Sequence, residues 1–255
     1  MNTELKLRIE NRYGKSVVSE CFFTSPLKVG MPGGKRERLK VILMMASAGI
    51  LKGDSFHYHI GCEADTKCLM TEQSYSKIFD TGDGMADRKV EIHLEKNASM
   101  YYKPCAVIPF GGSRFKSLMT VELFKESEFA WSDIFAAGRI GMGEKFAFRQ
   151  YRSRVCVFEE GRPVWLDNFF LSPEDMPVDE MVFFDGYTHQ GTFYYHGPEA
   201  REEQLLSAAK KKLGTEGLHI GVSRAVRGVC VRVLAGTAQD IEEVFEQFSI
   251  LLDME

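Results

Sequence analysis

Polar and apolar residues alternate with a period of two along most of this chain, and that pattern limits the fold more than any other feature. Leu5-Lys6-Leu7-Arg8-Ile9-Glu10, Val90-Glu91-Ile92-His93-Leu94-Glu95 and Phe146-Ala147-Phe148-Arg149 each alternate without interruption. Such a segment scatters its apolar residues around a helix, but as a strand it turns them all to one face. Further strands are predicted at Val17–Phe23, Lys40–Met45, Phe56–Ile60, Lys67–Glu72, Ser99–Tyr102, Met119–Leu123, Glu128–Ile134, Val155–Phe158, Pro163–Phe170 and Thr192–Tyr195. Turn residues such as Tyr13-Gly14, Pro32-Gly33-Gly34, Gly82-Asp83-Gly84, Lys96-Asn97 and Glu160-Gly161 separate them. Almost no helical pattern intervenes before about residue 195, so the expectation is a mainly β, stacked or wrapped body. Spacing alone leaves sandwich, barrel and β-helix open. The Gly30–Glu37 loop is expected to be the most mobile.

The last part of the chain changes period. Leu205, Leu206, Ala209 and Leu213 fall at helical spacing within Pro198–Leu213, with acidic residues at the start and Lys210-Lys211-Lys212 at the finish, the order that suits a helix dipole. Strands at His219–Ser223 and Val229–Leu234 follow, then an amphipathic helix over Thr237–Leu252 with Ile241, Val244, Phe245, Phe248 and Leu251 on one face. The predicted organisation is one domain over 1–255, with a β body at about 1–197 and an α/β tail at about 198–255.

With 32 basic and 36 acidic residues the formal charge is −4, which argues against a general nucleic-acid binder. No apolar run approaches the length of a membrane-spanning helix, and Met1–Leu5 lacks the apolar core of an export signal. A cytoplasmic protein is therefore expected, its six scattered cysteines reduced and mostly buried as small hydrophobes.

Common catalytic motifs fail on inspection. Gly34-Lys35 is followed by Arg36 and has Val29 where a phosphate loop needs glycine; Gly138 to Gly143 does not carry the dinucleotide spacing; Asp80–Gly84 lacks the acids of a calcium loop; Gly111-Gly112-Ser113 is not a nucleophile elbow. His57 and His59 share one face of a strand and are a possible weak metal pair, but spacing fixes no third ligand. The densest polar segment runs from Trp131 to Phe146 and sets Asp133, Arg139 and Glu144 among apolar residues; Asp167 closes a later strand. It reads either as a salt bridge at a strand end or as an interior lined by carboxylates, where hard oxygen ligands would pass a divalent cation rather than store it. The aromatics Phe183, Phe184, Tyr187, Tyr194 and Tyr195 are partner-binding candidates, or equally rings of the β core.

Five blocks in this order resemble the urease accessory UreD/UreH family: Ser47-Ala48-Gly49-Ile50-Leu51-Lys52-Gly53-Asp54, Thr71 to Ile78, Ile108-Pro109-Phe110 with Phe115, Asp133 through Phe146, and Phe184-Asp185-Gly186-Tyr187-Thr188-His189. Gln73-Ser74 stands where many members carry Gly-Ala, and the Pro-rich run before Ile108 is thinned, which makes the chain more similar to the UreH-type branch. The resemblance implies a β-helix-like stack of many short strands with two helices. It also implies a non-catalytic scaffold that binds a UreF-type partner, through it a nickel-carrying UreG-type GTPase, and apo-urease. Nucleic acid and membrane are not among the implied partners. No cofactor is implied, only nickel in transit through a passage; by motif position Asp133 and Glu144 flank it, with Thr71, Ser74 and Asp167 as further lining.

The rival reading is a polysaccharide lyase or glycosidase using Asp133, Glu144 and Asp167, which activity on uronate polymers or glycosides would reveal. A nickel store is disfavoured by the sparse His/Cys pattern.

Overall fold

The computed structural model describes residues 1–33 and 37–255, so the middle of the Gly30–Glu37 loop lies outside the described residues. In chain order the strands are β1 (Asn2–Arg12), β2 (Lys15–Phe23), β3 (Leu27–Gly30), β4 (Leu39–Met45), β5 (Ser55–Cys62), β6 (Lys67–Glu72), β7 (Ser76–Ile78), β8 (Ala86–Leu94), β9 (Ser99–Lys103), β10 (Val107–Pro109), β11 (Arg114–Leu123), β12 (Glu128–Ala136), β13 (Gln150–Glu159), β14 (Arg162–Leu171) and β15 (His189–His196). Helix α1 (Glu199–Lys211), strands β16 (Leu218–Arg224) and β17 (Val229–Ala235), and helix α2 (Ala238–Leu251) complete the chain.

The alternation resolves into a β-solenoid. One sheet has seven strands in the order β14-β13-β11-β8-β5-β1-β2, and its five middle strands run parallel. The other runs β16-β17-β15-β12-β9-β6-β4-β3, again with a parallel centre, β4 to β12, and with β7 and β10 attached at the side. Successive coils give one strand to each sheet: β1 and β4, β5 and β6, β8 and β9, β11 and β12. Antiparallel strands close the stack at both ends, which spares the parallel coils an open edge.

Two cores follow from the two faces of the second sheet. Between the sheets, Leu5, Leu7 and Ile9 of β1, Val90, Ile92 and Leu94 of β8 and Val121 and Leu123 of β11 line one side of the core, and Val41 and Leu43 of β4, Met70 of β6, Met100 of β9 and Phe129 of β12 line the other. On the outer face, Leu69, Tyr101, Ala130 and Ile134 pack against Leu205 of α1 and Ile241, Val244, Phe245 and Phe248 of α2. Each large side chain so buried on α2 contributes roughly 1.5–3 kcal/mol. Thr237 caps α2 by accepting the Asp240 backbone N–H. The close fit needs glycine at Gly191, where a Cβ would come within 2.7 Å of the Phe245 ring.

Two expectations need correction. Phe146–Arg149 alternates but is not a strand, because Phe146 takes a left-handed backbone (φ 52°) and donates its N–H to the Ala137 carbonyl, folding the segment back on β12. Three strands, β3, β7 and β10, are too short to show alternation, and the sequence pattern does not predict them. No described helix is long and apolar enough to cross a membrane.

Candidate functional site

A core between two sheets should be apolar, and here it is interrupted at one level. On the first sheet, Arg88 of β8, Ser117 of β11 and Ser153 of β13 are register partners. All three are buried and face inward with the apolar residues two positions away. On the second sheet, Asp133 of β12, Thr192 of β15 and Arg232 of β17 are register partners. Glu72 of β6 shares the inward face with Cys68 and Met70. Asp167 of β14 is buried and accepts from Arg232 Nη2 at 2.5 Å. Because paired strands, parallel in the coils and antiparallel at the end, stack like-facing side chains beside one another, these groups form a polar layer that crosses the strands and follows the solenoid axis.

Arg88 is the junction of the layer. Its guanidinium donates to Glu72 Oε1 at 3.4 Å, with only 9% and 11% of the two side chains exposed. It lines a cleft of about 220 Å³ together with Ser47, Ile50, Tyr58, Glu72 and Ser74. It also lines a small interior cavity of about 10 Å³ with Tyr102, Ser117, Trp131, Asp133 and Ser153. The cavity has room for roughly one water. Beyond Asp133 the Asp167–Arg232 pair leads to a groove of about 460 Å³ that Arg232 lines with Phe169, Val182, Phe183 and Gln190.

Electrostatics set the layer apart from an ordinary buried ion pair. Burial pushes the Asp133 carboxyl up to about 6, with Asp167 adding to the rise and Arg88 opposing it. Burial also raises Glu72, against the pull of Arg88. Burial works against the Arg88 charge, yet its Tyr102 and Glu72 neighbours offset that and it stays protonated. The Arg88 Nε, Tyr102 and Tyr151 hydroxyls and Asp133 Oδ1 are buried without a hydrogen-bond partner among the described residues. Each such atom costs about 1–3 kcal/mol, so apolar packing does not account for this layer.

The predicted site residues separate accordingly. Asp133 and Asp167 lie in the layer and Ser74 lines the outer cleft. Thr71 turns to the opposite face of β6 from Glu72, alongside Leu69. Glu144 sits in the loop after β12, where it accepts from Arg139 Nε and from the Gly111 N–H and lines neither cavity that Arg88 lines. Arg139 in turn stacks 4.4 Å from the Phe110 ring, so the salt-bridge reading of this segment holds for that pair. Glu72 and Arg88 are the residues that sequence reasoning passed over.

His57 and His59 point out from β5, held by Ser55 and by Glu91 respectively. Among the described residues no three His, Cys, Asp or Glu side chains converge as metal ligands. All six cysteines are free, and Cys62, Cys68 and Cys230 are buried. The aromatic candidates need correction: Phe184, Tyr194 and Tyr195 are buried, Tyr194 stacked on Trp165 at 4.1 Å, so these rings fill the cores and offer no surface anchor. Phe183 and Tyr187 are half-buried.

The profile of a family described as UreD urease accessory protein matches residues 1–255. A urease accessory protein UreH from Helicobacter hepaticus is 34% identical over 87% of this chain and 86% of its own length. One from Helicobacter pylori strain J99 is 31% identical over 99% of this chain and 97% of its own. A urease accessory protein UreD from Acetivibrio thermocellus is 28% identical over 96% and 94%. With the whole chain matched, the protein belongs to the UreD urease accessory family, and with that membership comes a role in urease maturation.

Proposed function

We propose that the chain is the non-catalytic scaffold that joins apo-urease to a UreF-type partner and, through it, to a nickel-carrying UreG-type GTPase, and that the ion crosses the scaffold along the polar layer. The observation that carries the conduit is the run of inward polar groups, Glu72, Arg88, Asp133, Asp167 and Arg232, set along the solenoid axis between an outer cleft and a groove. A conduit needs weak serial oxygen contacts, since a tight His/Cys cage would retain nickel. Carboxylates spaced along the layer, with no three His, Cys, Asp or Glu side chains converging among the described residues, suit that requirement. The partner surface is proposed around half-buried Phe183 and Tyr187, beside the open side chains of Met181 and Val182.

The test is co-expression with the UreF-type partner, affinity purification and urease activation in the wild type and in Asp133→Leu. The expected result is a stable complex in both and several-fold weaker activation in the variant. A chain that elutes alone refutes the scaffold, and full activation by Asp133→Leu within an intact complex refutes the conduit.

A further inference from the structure

We propose that Arg88 is a resident counter-cation filling a latent divalent-cation site between Glu72 and Asp133, so that nickel passes by displacing the guanidinium and is not retained. This rests on the conduit reading above and assigns the group that prevents the conduit from becoming a store.

The geometry explains the assignment. Glu72 and Asp133 project from the same sheet on β6 and β12, with β9 between them, and Arg88 reaches in from the opposite sheet. Strands lie about 4.8 Å apart and packed sheets about 10 Å, so one long side chain from the facing sheet can serve both acids. Arg88 meets Glu72 at 3.4 Å and shares the small cavity with Asp133. That contact is long for a charge-assisted hydrogen bond, which closes to about 2.7–2.9 Å when tight. Arg88 is nine-tenths buried and its Nε has no partner among the described residues, as is true of the Oδ1 of Asp133, which lines the same cavity. The guanidinium is therefore held by charge more than by directed bonds. One positive charge also leaves two carboxylates incompletely neutralised, whereas a divalent cation neutralises both. The Tyr102 hydroxyl, buried and unpaired at the same cavity, is a further oxygen within the site. With Arg88 in place an arriving cation meets repulsion as well as carboxylate attraction, and its stay is short.

The prediction is a gain of function on removing the charge. Nickel titration calorimetry on the full chain should find weak, non-stoichiometric binding in the wild type. Arg88→Leu should bind one nickel per chain at least about tenfold more tightly, a difference of about 1.4 kcal/mol. Arg88→Lys, which keeps the charge, should show no gain, and adding Glu72→Gln to Arg88→Leu should abolish it. If Arg88→Leu folds poorly because two acids are left uncompensated, nickel but not magnesium should raise its thermal midpoint. A folded Arg88→Leu that binds nickel no better than wild type overturns the inference, as does a misfolded one that nickel does not rescue. Neither outcome passes through urease activation, so failure here leaves the conduit to be judged by Asp133→Leu.

Discussion

Replacing Asp133 with Asn isolates the cost of keeping a carboxylate inside the solenoid. The ordinary value for this group is 3.8, and burial pushes it up to about 6 in the folded protein. At 1.36 kcal/mol per unit the gap is worth roughly 3 kcal/mol. The folded pKa is the higher one, so the protonated acid is favoured by folding. That contribution is complete below pH 3.8 and is lost as pH rises through 6. Asparagine has nothing to ionise and escapes the loss. Asp133→Asn should therefore gain on wild type as pH rises, with about half of the ~3 kcal/mol expressed at pH 5 and nearly all of it at pH 7. Urea unfolding midpoints measured from pH 5 to pH 8 read this directly, with the slope of the transition checked for constancy. Arg88 and Asp167 act on the same carboxyl in opposite directions, and burial, the largest effect, sets the sign with pH. Wild-type and variant curves that stay parallel over that range would refute the reasoning, since they would mean that Asp133 is solvated and no different from a surface acid.

Two further outcomes follow from contacts away from the layer. Glu144→Ala removes the acceptor of Arg139 and of the Gly111 N–H, and should lower the thermal midpoint by roughly 2–4 °C. The Arg139 hydrogen bond holds the Glu144 pKa below its usual 4.5, so the difference should fade as pH falls below that value; a difference that grows in acid would contradict it. Gly191→Ala places a Cβ against Ile241 and Phe245 of α2 and should cost about 1–3 kcal/mol by chemical denaturation; an unchanged midpoint would show that α2 does not pack as described.

Much of the fold was legible because a stacked strand shows its buried face in its own sequence. Leu5, Leu7 and Ile9, or Val90, Ile92 and Leu94, need no partner to declare which side is inward. The same parity could have exposed the site. Extending the β8 pattern two residues back puts Arg88 on the core face, and Glu72 falls in step with Cys68 and Met70. The resemblance of its block points to Thr71 instead, although Thr71 is out of step with the core. Glu144 drew attention by the density of polar residues around it, but density does not distinguish an interior acid from one paired in a loop. Illegible from local pattern was the alignment of Asp133 with Thr192 and Arg232, because it is set by the pairing of β12 with β15 and of β15 with β17. The left-handed residue Phe146 likewise hides within a perfect alternation, because a backbone angle leaves no trace in hydropathy.

An apolar layer at this level would make a more stable solenoid, since replacing a buried ion pair by packed hydrophobes is often neutral or stabilising. The chain instead carries Glu72, Arg88 and Asp133 where each coil would accept a leucine, and four polar atoms of the layer are unpaired among the described residues. A solenoid is well suited to a series of weak sites because consecutive coils present side chains at one level, each step about 4.8 Å from the last. In the proposed conduit an ion moving along the axis would meet one oxygen group per step or two, with Arg88 occupying the place where Glu72 and Asp133 would otherwise close on it. The same repeat that makes the fold readable from a period of two thus sets the spacing of the contacts. If the layer served stability alone, its removal should leave urease maturation intact and lower the unfolding midpoint. If it serves transit, stability and activation should move in opposite directions in Asp133→Asn, and that opposition is the signature a structural role would not produce.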